Sequence, residues 1–405
     1  MSLNQTPTSE RIHIAIFGRR NVGKSSLINA ITGQEVAIVS PVKGTTTDPV
    51  GKAMELPPLG PVVFFDTPGI DDSGEIGSQR VRRSHDILNK TDIAIIVTEA
   101  SITIGKPELE IIELLQTKKI PLLIAFNKSD LTPPNAEQIE QAATISRNTP
   151  LALSAQTGSG VDELKSALTK LIPDNFPPRP LVSDLLKPLD LVVLVTPIDA
   201  AAPKGRLILP QQQVIRDILD SGAIALAVRE HEFAAALQKL AAPPQLVITD
   251  SQVFGLVAAA TPRHVPLTSF SIIFARYKGD LNTLVQGARA VASLKDGDRI
   301  LIAEGCTHHR QTDDIGTVKI PRWIRQHTGK KLTFEHFSGA GYPLDLNTYA
   351  LIIHCGACTL NRREMQHRLQ RATAAGIPIV NYGVVIAYTQ GILERCLEPF
   401  TAPSP

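Results

Sequence analysis

Apolar runs that read as strands recur along this chain, and turns rich in Gly, Asn, Asp or Ser follow many of them. Ile12 to Phe17 predicts a buried strand and Lys24 to Ile31 a helix, while Val62 to Phe65, Ile120 to Phe126 and Leu151 to Leu153 are further strand-like runs. Beyond them, Leu189 to Thr196 reads as a strand, Pro210 to Ser221 as a helix, Glu232 to Ala242 as an alanine-rich helix and Leu246 to Thr249 as a strand. Arg299 to Ala303 and Tyr349 to Ile353 predict two more strands, and Gln390 to Leu397 a late helix. Such a mixture suits α/β layers. Prolines punctuate it: Pro173 to Pro180 reads as a stiff linker, and a second break falls at Thr261 to Pro266. The expected division is 1–172, 181–265 and 266–405, with no internal repeat or low-complexity segment.

The turn after the first strand carries the clearest chemistry. Residues 18 to 26 read Gly-Arg-Arg-Asn-Val-Gly-Lys-Ser-Ser, the spacing of a loop that cradles nucleotide phosphates at a helix N-terminus. Gly18 and Gly23 let backbone amides approach the phosphates, Lys24 reaches the outer ones, and the Ser25 hydroxyl, with Ser26 beside it, faces Mg²⁺. Asn127-Lys128-Ser129-Asp130 follows an apolar run, so it sits at a strand's C-terminal end, where open α/β sheets bind ligands. Asp130 there can accept the N1–H and 2-amino hydrogens of guanine, which favours GTP over ATP. Ser154-Ala155-Gln156 resembles the loop that backs guanine in small GTPases. Asp66-Thr67-Pro68-Gly69 places a carboxylate near Mg²⁺ and the Gly69 amide near the γ-phosphate, and Thr46 of Gly44-Thr45-Thr46-Thr47-Asp48 is the expected switch threonine. Ile70 stands where many GTPases carry a water-orienting glutamine, which predicts slow intrinsic hydrolysis or another way of ordering water.

A second constellation lies in the last third. The strand Arg299 to Ala303 runs into Gly305-Cys306-Thr307-His308-His309, and Tyr349 to Ile353 runs into His354-Cys355-Gly356-Ala357-Cys358. In a parallel sheet the two ends share a rim, so three thiolates and up to three imidazoles can converge. From the residues alone an iron-sulfur cluster, a zinc ion and a redox dithiol all remain open. Cys396 lies outside the motif, where a buried inert thiol is expected. His231, between Glu230 and Glu232, reads as part of a solvated face.

Composition narrows the function classes. The 405 residues carry a net charge of +2 and only 4% aromatics, with no basic tail, which counts against nucleic acid as a partner. Residues 266 to 405 hold 16 Lys and Arg against 11 Asp and Glu, so the positive surplus travels with the cysteines; Arg310, Arg362 and Arg363 stand nearest the motifs. Met1 to Glu10 is polar, lacks an apolar h-region, and no run approaches about 20 apolar residues, so a cytoplasmic protein away from membranes is expected.

The GTPase half resembles the branch that includes tRNA-modification and ribosome-assembly GTPases. In that branch an asparagine at the place of Asn21 is associated with a K⁺ ion that replaces an arginine finger, which makes K⁺ a further expected cofactor. Cys306, His308, His354, Cys355 and Cys358, taken with the phosphate loop, Gly-Thr-Thr-Thr-Asp-Pro and Asp-Thr-Pro-Gly, resemble the GTPases of FeFe-hydrogenase maturation, the HydF family, over nearly the whole chain. The resemblance implies a P-loop GTPase domain followed by two smaller α/β domains, one for dimerisation and the last for an iron-sulfur cluster. It implies a 4Fe-4S cluster held by Cys306, Cys355 and Cys358, with His308 and His354 as candidates for a fourth ligand or for hydrogen bonds around the cluster. It further implies a GTP-hydrolysing homodimeric carrier that assembles or delivers a di-iron subcluster, with radical S-adenosylmethionine maturases and apo FeFe-hydrogenase as partners. The alternative is an RNA-associated GTPase of the same superfamily with a structural zinc.

Overall fold

A computed structural model describes residues 6–33, 51–70, 87–171, 179–198, 207–305, 314–339, 342–343 and 345–401. The chain divides into two compact units, residues 1–177 and 178–405.

In the first unit, six strands lie in the order β2-β3-β1-β4-β5-β6. They are β1 (Ile12–Phe17), β2 (Gly51–Leu56), β3 (Gly60–Asp66), β4 (Ile93–Glu99), β5 (Leu122–Asn127) and β6 (Leu151–Ala152). All neighbours run parallel except β2, which is antiparallel to β3. Side chains alternate across the sheet. Ile12, Ile14 and Ile16 join the core on one face with Phe64 and Ile95, while Ala15 and Phe17 join the core on the other with Phe65 and Ile96. Every residue of β1 is buried, and all but His13, whose Nε2 lies 2.8 Å from Thr8 O, are apolar. The helix after it spans Lys24–Thr32 and ends at Gly33 in the left-handed region.

The second unit holds two four-stranded parallel sheets, ordered β10-β9-β7-β8 and β12-β11-β13-β14. The first comprises β7 (Leu191–Val195), β8 (Ile224–Val228), β9 (Leu246–Thr249) and β10 (Leu267–Ser269). The other comprises β11 (Arg299–Glu304), β12 (Thr333–Ser338), β13 (Leu351–His354) and β14 (Ile379–Asn381). β10 lies beyond the break at Thr261 to Pro266 and still pairs with β9. Two of the expected helices are shifted. The alanine-rich helix is confined to Phe233–Gln238 and stops short of Ala242, whose backbone Pro243 turns away from helical geometry. The late helix begins only at Leu393, after Gly391 at φ 70° closes the helix Tyr382–Thr389, and runs on to Thr401.

The sheets of the second unit are stitched by long-range contacts. Phe254 packs in the core formed by β11, β13 and β14, and the Arg395 guanidinium donates to the carbonyls of Ala258, Thr261 and Pro262.

Candidate functional site

In the first sheet the chain leaves β1, builds β3 on one side and returns to place β4 on the other, so the gap between β1 and β4 is the topological switch point. The phosphate loop opens there. Gly23, at φ 90°, caps the helix Lys24–Thr32, and a Cβ on it would lie 2.3 Å from Asn127 Nδ2. Only glycine fits. Asn127 is buried at the end of β5; its amide donates to Val22 O at 2.8 Å, and its Oδ1 accepts the Ala155 amide at 2.9 Å. It therefore ties the phosphate loop to the Ser154–Ala155 loop. Lys128 Nζ donates to Asn21 O at 2.9 Å and pairs with Glu99, which leaves Asp130 exposed at the rim.

Lys24 Nζ bends over the loop toward Gly18 O (3.0 Å) and Arg19 O (2.7 Å). The Ser25 hydroxyl donates to Asp66 Oδ2, while Asp66 Oδ1 is buried without a hydrogen-bond partner among the described residues. A hydroxyl and a half-satisfied carboxylate meeting beside a phosphate loop fit an octahedral Mg²⁺ that keeps some of its waters. Ile70 N donates to Gly18 O at 3.3 Å, so Gly69 lies directly against the loop in sequence. Thr46 lies outside the described residues, as do Cys306, His308, His309 and Arg310.

One charge pair was not read from the sequence. Arg19 forms a two-pronged contact with Glu108, Nε to Oε1 at 2.5 Å and Nη2 to Oε2 at 2.9 Å, and Glu108 is fully buried. Burial pushes the Glu108 carboxyl up. The Arg19 hydrogen bond, the Gly105 and Glu108 amides and the Arg19 charge together outweigh burial and hold the carboxyl below its ordinary value. Arg19 was visible in the motif, but nothing local marks a glutamate 89 residues away as its partner.

The third sheet repeats the topology. β11 is flanked by β12 on one side and β13 on the other, with Ala303 level with His354, so the C-terminal ends of β11 and β13 form a second switch point. The Cys355 loop runs from there to Asn361, whose side chain accepts the Glu364 amide and caps the helix Arg362–Ala374. Cys355 Sγ accepts the amides of Gly305 (3.2 Å) and Ala357 (3.4 Å). Gly305, the residue before Cys306 in sequence, therefore lies against Cys355. Among the described residues no three His, Cys, Asp or Glu side chains are grouped as for a metal ion, Cys306 and His308 being outside them.

His354 is fully buried. Its Nδ1–H donates to Cys355 O at 2.9 Å, which leaves Nε2 to accept from Arg368 Nη1 at 2.9 Å. Burial first, and the Arg368 charge second, push its pKa down to about 3, so the ring is neutral. Both nitrogens are thus engaged within the protein. Arg368, 1% exposed, also reaches Gly339 O and Glu364. Glu304, the last residue of β11, accepts the hydroxyls of Tyr382 (3.1 Å) and Ser338 (3.2 Å). The Cys396 thiol is buried and pushed up to about 12 by burial, as an inert core thiol should be.

The open sheet, the phosphate loop at its switch point and the Asn-Lys-x-Asp rim define a P-loop GTPase, here joined to a second α/β unit that presents cysteines at a switch point of its own. The chain belongs to the hydrogen maturase F family. Residues 181–279 match the hydrogen maturase F dimerization domain, 282–399 its tetramerization domain, and 13–128 the 50S ribosome-binding GTPase domain. GTPase Era of Rippkaea orientalis is 35% identical over 179 residues, covering 42% of this chain and 56% of that protein. The tRNA modification GTPase MnmE of Methylococcus capsulatus is 37% identical over 163 residues, 40% of this chain and 34% of that protein. The chain thus spans about half the length, or less, of these curated relatives. Among solved structures, an Era variant of Aquifex aeolicus bound to GDP·AlF₄⁻ is 22% identical, covers 54% of this chain and 92% of that one, and has a TM-score of 0.35. Among the described residues, no helix is long and apolar enough to cross a membrane.

Proposed function

We propose that the chain is a cytoplasmic, GTP-hydrolysing carrier that holds a 4Fe-4S cluster through Cys306, Cys355 and Cys358. In this reading it assembles or delivers the di-iron subcluster for apo FeFe-hydrogenase, alongside radical S-adenosylmethionine maturases. The observation that carries the reading is Cys355 Sγ accepting two backbone amides at the β11–β13 switch point, one of them from the residue before Cys306. Amide-to-sulfur hydrogen bonds stabilise thiolate donors, and soft thiolates suit iron-sulfur chemistry. Bound there, the cluster supplies an open or weakly held iron to which cargo can attach. His354 serves by fixing the Cys355 peptide and Arg368 through its two occupied nitrogens, which leaves the fourth position to His308 or to an exchangeable group.

On the GTPase side, Lys24 neutralises the outer phosphates, Ser25 and Thr46 hold Mg²⁺ with Asp66 behind them, and Asp130 reads guanine. Asn21 and K⁺ take the place of an arginine finger.

Anaerobic reconstitution with iron and sulfide, followed by EPR and by iron and zinc analysis, tests the reading. A 4Fe-4S signal is expected in the wild type and in His354→Asn, and its loss in a triple Cys306, Cys355 and Cys358→Ala variant. Zinc without iron would return the chain to an RNA-associated GTPase with a structural metal.

A further inference from the structure

The Cys355 to Leu360 loop has a buried cation against its backbone. Lys278 ends the helix Phe270–Lys278, is 1% exposed, and sends Nζ to the carbonyls of Leu360 (2.8 Å), Ala357 (3.2 Å) and Cys358 (3.3 Å). Phe274, one turn earlier, places its ring 5.7 Å from the same nitrogen. An ammonium group has three donors and no acceptor, so three converging carbonyls are its natural complement. The loop is folded tightly around it: Ala357, with a side chain and φ 54°, is held in the left-handed region and is 2% exposed. The three carbonyl dipoles and the Phe274 ring offset the cost of burying the Lys278 charge.

We propose that Lys278 is a positioning residue for the cluster: it holds the loop that presents Cys355 and Cys358, and its buried positive charge favours the more negative, reduced form of whatever those thiolates bind. The inference rests on the cluster reading above. Three thiolates around a 4Fe-4S core give a net anion whose charge grows by one on reduction, so a fixed cation nearby raises the reduction potential. Lys278 lies at the end of the segment that matches the dimerization domain, whereas the loop it grips belongs to the segment that matches the tetramerization domain. The same contact therefore ties the cysteine loop to the neighbouring sheet.

The test is a redox titration by EPR of anaerobically reconstituted full-length protein, comparing wild type with Lys278→Met, Lys278→Gln and Lys278→Arg, each checked for folding by circular dichroism before loading. Lys278→Met keeps the volume and removes the charge, and Lys278→Gln keeps amide donors without charge. Both neutral variants are expected to load iron and to show a midpoint shifted to more negative potential, with Lys278→Arg restoring most of the shift. Loaded neutral variants with an unchanged midpoint would overturn the proposal. Loss of folding in both neutral variants would also overturn it, marking Lys278 as a plain structural anchor. If the wild type itself takes up no iron-sulfur cluster, the failure belongs to the cluster reading and not to Lys278.

Discussion

Glu108 and Arg19 show how one buried pair can set a phosphate loop. The Glu108 carboxylate is fully buried while Arg19 is 27% exposed, so replacing Glu108 by Ala removes a charge-assisted pair and should cost about 2 kcal/mol. Urea denaturation would show this as a lower midpoint, together with weaker GTP binding. The folded carboxyl is held below its ordinary 4.5. Its contribution is therefore complete above pH 4.5 and is lost as pH falls through the lowered folded value. Wild type and Glu108→Gln should converge in stability on acidification below pH 4.5; a gap that stays constant would show that the pair does not act through ionisation. Asp130, exposed at the rim, has a sharper test. Asp130→Asn should lower GTP affinity by about 100-fold, because the amide cannot accept both guanine hydrogens, and should favour xanthosine triphosphate. For Asn21, GTP turnover should be faster in KCl than in NaCl, and equal rates would remove K⁺ from the site.

At the scale of elements, strands whose residues are buried on both faces were legible, since β1, apolar but for His13, and β9, apolar up to Thr249, have the expected limits. The places of the phosphate loop and of the Cys355 loop were legible for the same reason: each directly follows such a strand. Lys278 and Arg368 were not, because a lysine or arginine on a helix reads as a solvated charge until the fold buries it. Nor was the use of β8 evident. Its sequence Ile-Ala-Leu-Ala-Val is that of a buried strand, yet it lies at the edge of its sheet with Ile224 47% exposed. An apolar open edge invites a second strand, and this segment matches a dimerization domain. Pairing of two copies along β8 would cover that edge. Ile224 N bonds to Asp190 O on the β7 side, so by alternation the Ala227 amide points outward. Ala227→Pro should therefore leave the β7 ladder intact and yield a smaller species in light scattering, whereas an unchanged mass would move the interface elsewhere. Helix packing in the same unit is equally specific. A Cβ on Gly287 would lie 1.9 Å from Ile379 O, so Gly287→Ala must lift the helix Leu281–Arg289 off β14 at a cost of about 1–3 kcal/mol.

For the whole molecule, the division of the cores decides which pieces can stand alone. The two cores that sandwich the first sheet draw their residues from 12 to 171, and those of the second unit draw theirs from 181 to 400. Within the second unit the sheets do not separate in this way. Phe254 belongs to the core around β11 and β13, Phe400 packs against the core around β7 and β9, and Arg395 closes the turn at Thr261-Pro262. A cut at 265/266 would also strip β10 from β9, exposing a strand edge and splitting all three apolar cores of the second unit at once. Residues 178–405 alone should therefore fold cooperatively and, on the cluster reading, take up as much iron and sulfide per chain as the full-length protein, without GTP. Residues 266–405 alone should be insoluble or molten. Circular dichroism melts and iron stoichiometry on the two fragments decide the matter. Full loading by 266–405 would mean that the cysteine sheet needs neither Lys278's neighbours nor β7 to β9, and poor loading by a well-folded 178–405 would mean that the GTPase unit helps to build the cluster.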